Sequence, residues 1–112
     1  MAWALDFNGT TQYVGFSSLL STNTASNVRW NLVAVAKVVG AGNCMIAGGA
    51  TTVDYFRVQP NGTVDYRNAA GSATWAAAVT TPTDYNKIEL QMRWTGGTKD
   101  LSLYVNNVFV ST

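Results

Sequence analysis

Between Tyr85 and Val110 the chain alternates apolar and polar residues three times over. Ile88, Leu90, Met92 and Trp94 interleave with Lys87, Glu89, Gln91 and Arg93. A period of two makes one dry face and one wet face, the pattern of a half-buried β-strand. Gly96 and Gly97 break the pattern inside a turn-forming run from Thr95 to Asp100. Leu101, Leu103 and Val105 then alternate with Ser102, Tyr104 and Asn106. Asn106-Asn107 predicts a two-residue turn that tolerates positive φ, and Val108 and Val110 resume the pattern on a third strand. So long a stretch of antiparallel hairpins leaves little room for a helical fold.

The remaining segments agree with it. Trp3, Leu5 and Phe7 alternate with Ala4, Asp6 and Asn8, a first strand that ends in the turn Asn8-Gly9-Thr10-Thr11. Tyr13, Val14 and Phe16 form a second short strand, with Gly15 marking a bulge, and Ser17 to Asn27 reads as a loop. Trp30 to Val39 is apolar on both sides, which predicts a strand covered on both faces or central in its sheet. Ala and Leu favour helix here, but the Val content and the stop at Gly40-Ala41-Gly42 favour strand. Cys44 to Ala47 is the next strand, ended by Gly48-Gly49. Asp54 to Gln59 follows, with Phe56 and Val58 inward and Tyr55, Arg57 and Gln59 outward. Pro60-Asn61-Gly62 is a strong turn signal, and Val64 to Arg67 returns as the hairpin partner. Ala69 to Thr83 is expected to hold one strand, Thr74 to Val79. Trp3, Trp30 and Trp94 lie on dry faces and are expected in the core. About nine short strands with regular turn signals imply a single all-β domain over residues 1–112, a sandwich or barrel with almost no helix.

Composition narrows the chemistry. Only 12% of the 112 residues are charged and the net charge is +1, against about 25% charged in an ordinary domain. No Lys/Arg cluster points to nucleic acid. The opening MAWALDFNG has neither a basic region nor a long apolar run, so no signal peptide is expected. Leu32 to Val39 is too short to span a bilayer and contains Lys37, so no membrane insertion is expected. The lone Cys44 reads as a small buried hydrophobe. There is no histidine, which removes the commonest general base and metal ligand. A serine or Cys44 nucleophile would therefore lack its usual partner. The single glutamate, Glu89, has Lys87 and Gln91 as same-face neighbours, so the carboxylate pair of a glycosidase is missing. Asp54 and Asp65 could face each other across their hairpin, but an aspartate near a turn is ordinarily a turn residue. Gly40-Ala41-Gly42 and Gly48-Gly49 lack the Lys/Ser and following helix of a phosphate loop. No enzymatic activity is expected. Asn8-Gly9-Thr10 and Asn61-Gly62-Thr63 match the glycosylation pattern and are read as turns.

The order of motifs resembles the concanavalin A-like lectin/glucanase superfamily, in its laminin-G-like form. ALDFNGTTQYVGF at the start is similar to the opening strands of that family. WNLVAVAKV, DYFRVQPNGTVDYR and YNKIELQMRW resemble its successive inner strands and hairpin. LSLYVNNVFV resembles its Leu-x-Leu-Tyr-Val-Asp/Asn-Gly hairpin, with Asn107 in place of the glycine. The resemblance covers nearly the whole chain and rests on turn and core positions. It implies an antiparallel two-sheet β-sandwich of jelly-roll topology. It also implies a non-catalytic carbohydrate-binding or adhesion module, with the alternative of an inactive glycoside-hydrolase relative. Low charge, Ala/Thr/Gly richness and no visible leader also suit a phage or virion surface or appendage protein, in the limit a purely structural one.

For a glycan, the expected ligand residues are Tyr55, Arg57, Tyr66 and Arg67 on one hairpin. Tyr104 and Asn106 on the later hairpin, and Trp75 in its loop, complete the set. Aromatic faces can stack on sugar rings, although outward tyrosines also serve as cross-strand pairs. No cofactor is required. The family's calcium would fall at Asp54, with carbonyls of the 48–53 loop. Relatives continue past the last hairpin for several strands, whereas this chain ends at Thr112. That predicts an apolar face and a strand edge covered by a neighbouring protein or by a second copy in a homo-oligomer.

Overall fold

The computed structural model describes residues 29–48, 55–68, 71–95 and 98–112. Eight strands run through them: β1 (Arg29–Ala36), β2 (Cys44–Gly48), β3 (Tyr55–Val58), β4 (Val64–Asn68), β5 (Gly71–Trp75), β6 (Asn86–Thr95), β7 (Thr98–Val105) and β8 (Val108–Ser111). The strands expected at Trp3–Asn8 and Tyr13–Phe16, the 17–27 loop and the Gly96-Gly97 turn lie outside the described residues. So do Trp3 and the side chains of Trp30 and Trp94.

Two antiparallel four-stranded sheets pack together as a sandwich. One has the order β1-β6-β7-β8, the other β2-β3-β4-β5. Among the described strands the chain changes sheet only from β1 to β2 and from β5 to β6, without the repeated alternation between sheets of a jelly roll, and within each sheet strands adjacent in sequence are mostly adjacent in space. The exception is β1, which pairs with β6 in a register running from Arg29↔Arg93 to Ala36↔Asn86.

The alternation that marks β6 and β7 in the sequence is the alternation of the core. Ile88, Leu90, Met92, Leu101, Leu103 and Val105 are buried on the inner face. Across from them the second sheet contributes Phe56, Val58, Val64, Tyr66 and Trp75, joined by Val38 and Val79 from loops. Each such side chain, fully buried, contributes about 1.5–3 kcal/mol through removal of apolar surface from water. In β2 the register shifts between Met45 and Ala47. Ile46 is the extra residue of this bulge, so both Ile46 and Ala47 pack on the core.

Four local expectations are corrected. The apolar segment after Trp30 is not central: β1 lies at the end of its sheet among the described strands. Its outer Val33 and Val35 are 51% and 67% exposed. The strand expected at Thr74–Val79 ends instead at Trp75. Ala77 there adopts φ 50°, a left-handed conformation that ends strand pairing. Asp65 is not an exposed turn residue but lies buried in β4. Finally, β8 is exposed along its whole length, Val108 and Val110 included.

The turns carry their own chemistry. Asn106 and Asn107 have φ 50° and 67°, the positive pair a two-residue hairpin demands. In the β3–β4 turn, Asn61 Oδ1 accepts a hydrogen bond from the Thr63 amide at 3.0 Å, which closes the turn locally. Gly62 there has φ 82° and lies against the Val79 backbone, where a Cβ would meet the Val79 carbonyl oxygen at 2.0 Å.

Candidate functional site

The residues expected to bind ligand fall in four places. Tyr55, Arg57 and Arg67 lie on the outer face of the second sheet, where Tyr55 is the cross-strand partner of Arg67 and Arg57 of Asp65. Tyr66 pairs with Phe56 on the opposite, inner face and is 2% exposed. Trp75 pairs with Val64 on the same inner face and is also buried. Neither Tyr66 nor Trp75 can meet a ligand at the surface. Tyr104 lies on the outer face of the first sheet. Asn106 occupies the turn at its end. Asp54, and with it the calcium expectation, lies outside the described residues.

On the second sheet the polar groups satisfy one another. Arg57 Nε donates to Asp65 Oδ2 at 3.1 Å, and its guanidinium lies 4.4 Å from the centre of the Tyr55 ring. Gln59 Nε2 also donates to Asp65 Oδ2. Two donors on one oxygen, one of them a guanidinium, give this buried carboxylate the partners that water would otherwise supply. The face of Tyr55 that carries Arg57 is therefore occupied, and this row is a self-contained brace.

Asn106 is likewise committed. Its amide and Oδ1 bond the carbonyl and amide of Lys87 at 2.8 and 2.9 Å. Its Nδ2 donates to Asn86 Oδ1 at 2.9 Å. Asn86 is buried, and its Nδ2 donates to the carbonyls of Thr81 and Asp84. The pair ties the β7–β8 turn to the loop that feeds β6.

The outer face of the first sheet is different. Three rungs cross it, set by the β1–β6 and β6–β7 registers. The first is Arg29, Arg93 and Asp100. The second is Asn31, Gln91 and Ser102. The third is Val33, Glu89 and Tyr104, extended by Phe109, whose ring centre is 5.4 Å from that of Tyr104. The first two rungs, with Tyr104 and Thr112, line a shallow depression of about 340 Å³. That is at the low end of small-ligand sites, roughly 300–1,000 Å³. Its lining is amide, hydroxyl, guanidinium and the Asp100 carboxylate, with Met92 and one aromatic ring, that of Tyr104.

Comparison with protein-family models, curated proteins and solved structures finds no match.

Glu89 Oε1 accepts from Gln91 Nε2 at 3.0 Å and from Asn31 Nδ2 at 3.4 Å, which sets the two amides on one carboxylate. Among the described residues, Glu89 and Asp100 are the carboxylates of this face. Arg93, in register with Asp100, is four residues from Glu89 along β6. That separation is about 13 Å at the rise of an extended strand. The two carboxyl groups of a glycosidase are roughly 5–9.5 Å apart. Among the described residues no three carboxylate or cysteine side chains converge as metal ligands do. Burial pushes the Cys44 thiol up from its ordinary pKa, away from nucleophile chemistry.

Sequence reasoning missed Arg29, Asn31, Gln91, Arg93, Asp100 and Ser102. The wet-face positions of Gln91, Arg93 and Ser102 were legible on their own strands, whereas Asn31 lies in a segment that reads as apolar on both sides and Asp100 in a turn-forming run. The pairing of β1 with β6, which gathers them, carries no local signal.

Proposed function

We propose that this domain is a non-catalytic, lectin-like glycan-binding module whose ligand lies on the outer face of the β1-β6-β7-β8 sheet. The observation that carries the reading is the depression over that face. Asn31 and Gln91 each spend one amide donation on Glu89, and the Ser102 and Thr112 hydroxyls bond each other at 3.3 Å, which leaves these four residues further donors and acceptors at close spacing, beside the ring edge and hydroxyl of Tyr104. A polyhydroxylated ligand needs both, because each hydroxyl removed from water must find a partner. The sequence resemblance to concanavalin A-like jelly rolls supports the same reading. A glycan array tests it: Gln91→Ala and Tyr104→Ala each lower the signal at least tenfold, while Arg67→Ala on the other sheet changes nothing. Binding that is indifferent to Gln91 and Tyr104, or no binding across the array, refutes it.

A second reading is an assembly protein of a viral particle or appendage. Val33, Val35, Val108 and Phe109 are apolar and exposed, and β8 ends its sheet as a strand whose outer edge is unpaired among the described strands. Such an edge is a template for another chain, either a second copy or a neighbouring protein. Sedimentation at micromolar concentration tests this: a monomer that stays monomeric and binds no companion protein removes it.

A further inference from the structure

We propose that the ligand of this face is an acidic sugar whose carboxylate or sulfate group is held between Arg29 and Arg93; the inference rests on the glycan-binding reading. Arg29 and Arg93 are direct cross-strand partners, both exposed, and both line the depression. Like charges placed directly opposite destabilise an antiparallel pair. Arg57, by contrast, has Asp65 at 3.1 Å and the face of Tyr55. Among the described residues no carboxylate oxygen approaches within 4 Å of the Arg29 or Arg93 guanidinium. Asp100 follows Arg93 on the same rung, so an incoming anion is drawn to the Arg29 side. The unspent donors are two planar forks, a geometry that matches the oxygens of a carboxylate or sulfate. The neighbouring rung of Asn31, Gln91 and Ser102 then meets the neutral hydroxyls of the same ring. The two arginines remain as a stability cost in the free protein and become a gain on binding.

The test is an array carrying matched pairs of glycans, each uronate, sialylated or sulfated compound beside its neutral counterpart. It is probed with the wild type, Arg29→Gln, Arg93→Gln and the double variant. Acidic members bind at least tenfold better than neutral ones, the preference falls with added sodium chloride, and the double variant no longer distinguishes acidic members from their neutral counterparts. The uronate and sulfate arms report which anion is preferred. Without ligand, Arg93→Gln melts no lower than the wild type, because a repulsion has been removed. Equal binding of acidic and neutral partners, or a preference that survives in the double variant, overturns the inference and leaves the glycan reading standing. No binding to any member overturns both.

Discussion

Gly62→Ala should be among the most damaging one-carbon changes in this protein, and its cost can be separated into parts. Gly62 has φ 82°, and a Cβ there would meet the Val79 carbonyl oxygen at 2.0 Å. Gly40 also has positive φ, 71°, but a Cβ there meets nothing within 4 Å. Gly40→Ala therefore measures the backbone term alone, about 1 kcal/mol for an alanine held left-handed. At Gly62 the same term applies, and the oxygen must also move by well over an ångström to reach ordinary contact. The Val79 amide donates to the Gly62 carbonyl at 2.9 Å, so that movement disrupts a hydrogen bond worth about 1 kcal/mol. It also displaces buried Val79 from the core, an overpacking cost of about 1–3 kcal/mol. The total is about 3–5 kcal/mol, a large share of the 5–15 kcal/mol that stabilises most domains. Urea unfolding monitored by circular dichroism reads both variants, with an unchanged slope showing that the unfolded state is the same. If Gly62→Ala and Gly40→Ala differ by less than about 0.5 kcal/mol, the close approach of the two backbones is not what selects glycine.

Three further outcomes follow from the same packing. Tyr66→Ala empties a buried position against Phe56 and costs about 3–5 kcal/mol, whereas Tyr55→Ala, half-buried on the outer face, costs much less; equal effects in thermal melts would reverse the assignment of faces. Asn86→Ala removes the donor to two carbonyls and the acceptor for Asn106 and destabilises by about 2–3 kcal/mol in urea. Cys44, half-buried with its thiol pushed up by desolvation, should alkylate with a pH midpoint above that of the urea-unfolded chain. Because the folded thiol holds its proton more tightly, the associated stability is complete below the unfolded pKa and is lost as pH rises through the folded one. Identical midpoints folded and unfolded would place the thiol in open water.

How much of this was legible depended on whether the cause was local. Period two along Lys87–Arg93 and Leu101–Val105 reports which face is dry, and the buried Ile88, Leu90, Met92, Leu101 and Leu103 agree. The left-handed Asn106-Asn107 turn was legible for the same reason. Tyr66 shows the rule misapplied: Tyr66 and Arg67 are adjacent on one strand and cannot share a face, so pairing with Phe56 puts the tyrosine inside. Trp75 was illegible because Gly71–Trp75 has almost no hydrophobic alternation. Val33 and Val35 misled because apolar side chains on both faces of a strand look alike wherever the strand sits in its sheet. The candidate face was hidden for a stronger reason. Asn31 and Gln91 are separated by most of the chain, and only the register brings them together.

That register also sets an order of events. Within β2-β3-β4-β5 and within β6-β7-β8, every strand pairs with its sequence neighbour, so both meanders can zip from their own turns. β1 must instead find β6, closing the span from Ala36 to Asn86, which is about three doublings longer than the β3–β4 hairpin loop. At about 0.6 kcal/mol per doubling, that closure costs about 2 kcal/mol more, and non-local pairings of this kind slow folding. The depression with Arg29 and Asn31 on one bank and Gln91, Arg93 and Ser102 on the other exists only after β1 has docked. On the proposed glycan-binding reading, capture by this face therefore requires β1 to be docked, and a chain whose meanders have formed but whose β1 is still free should not bind.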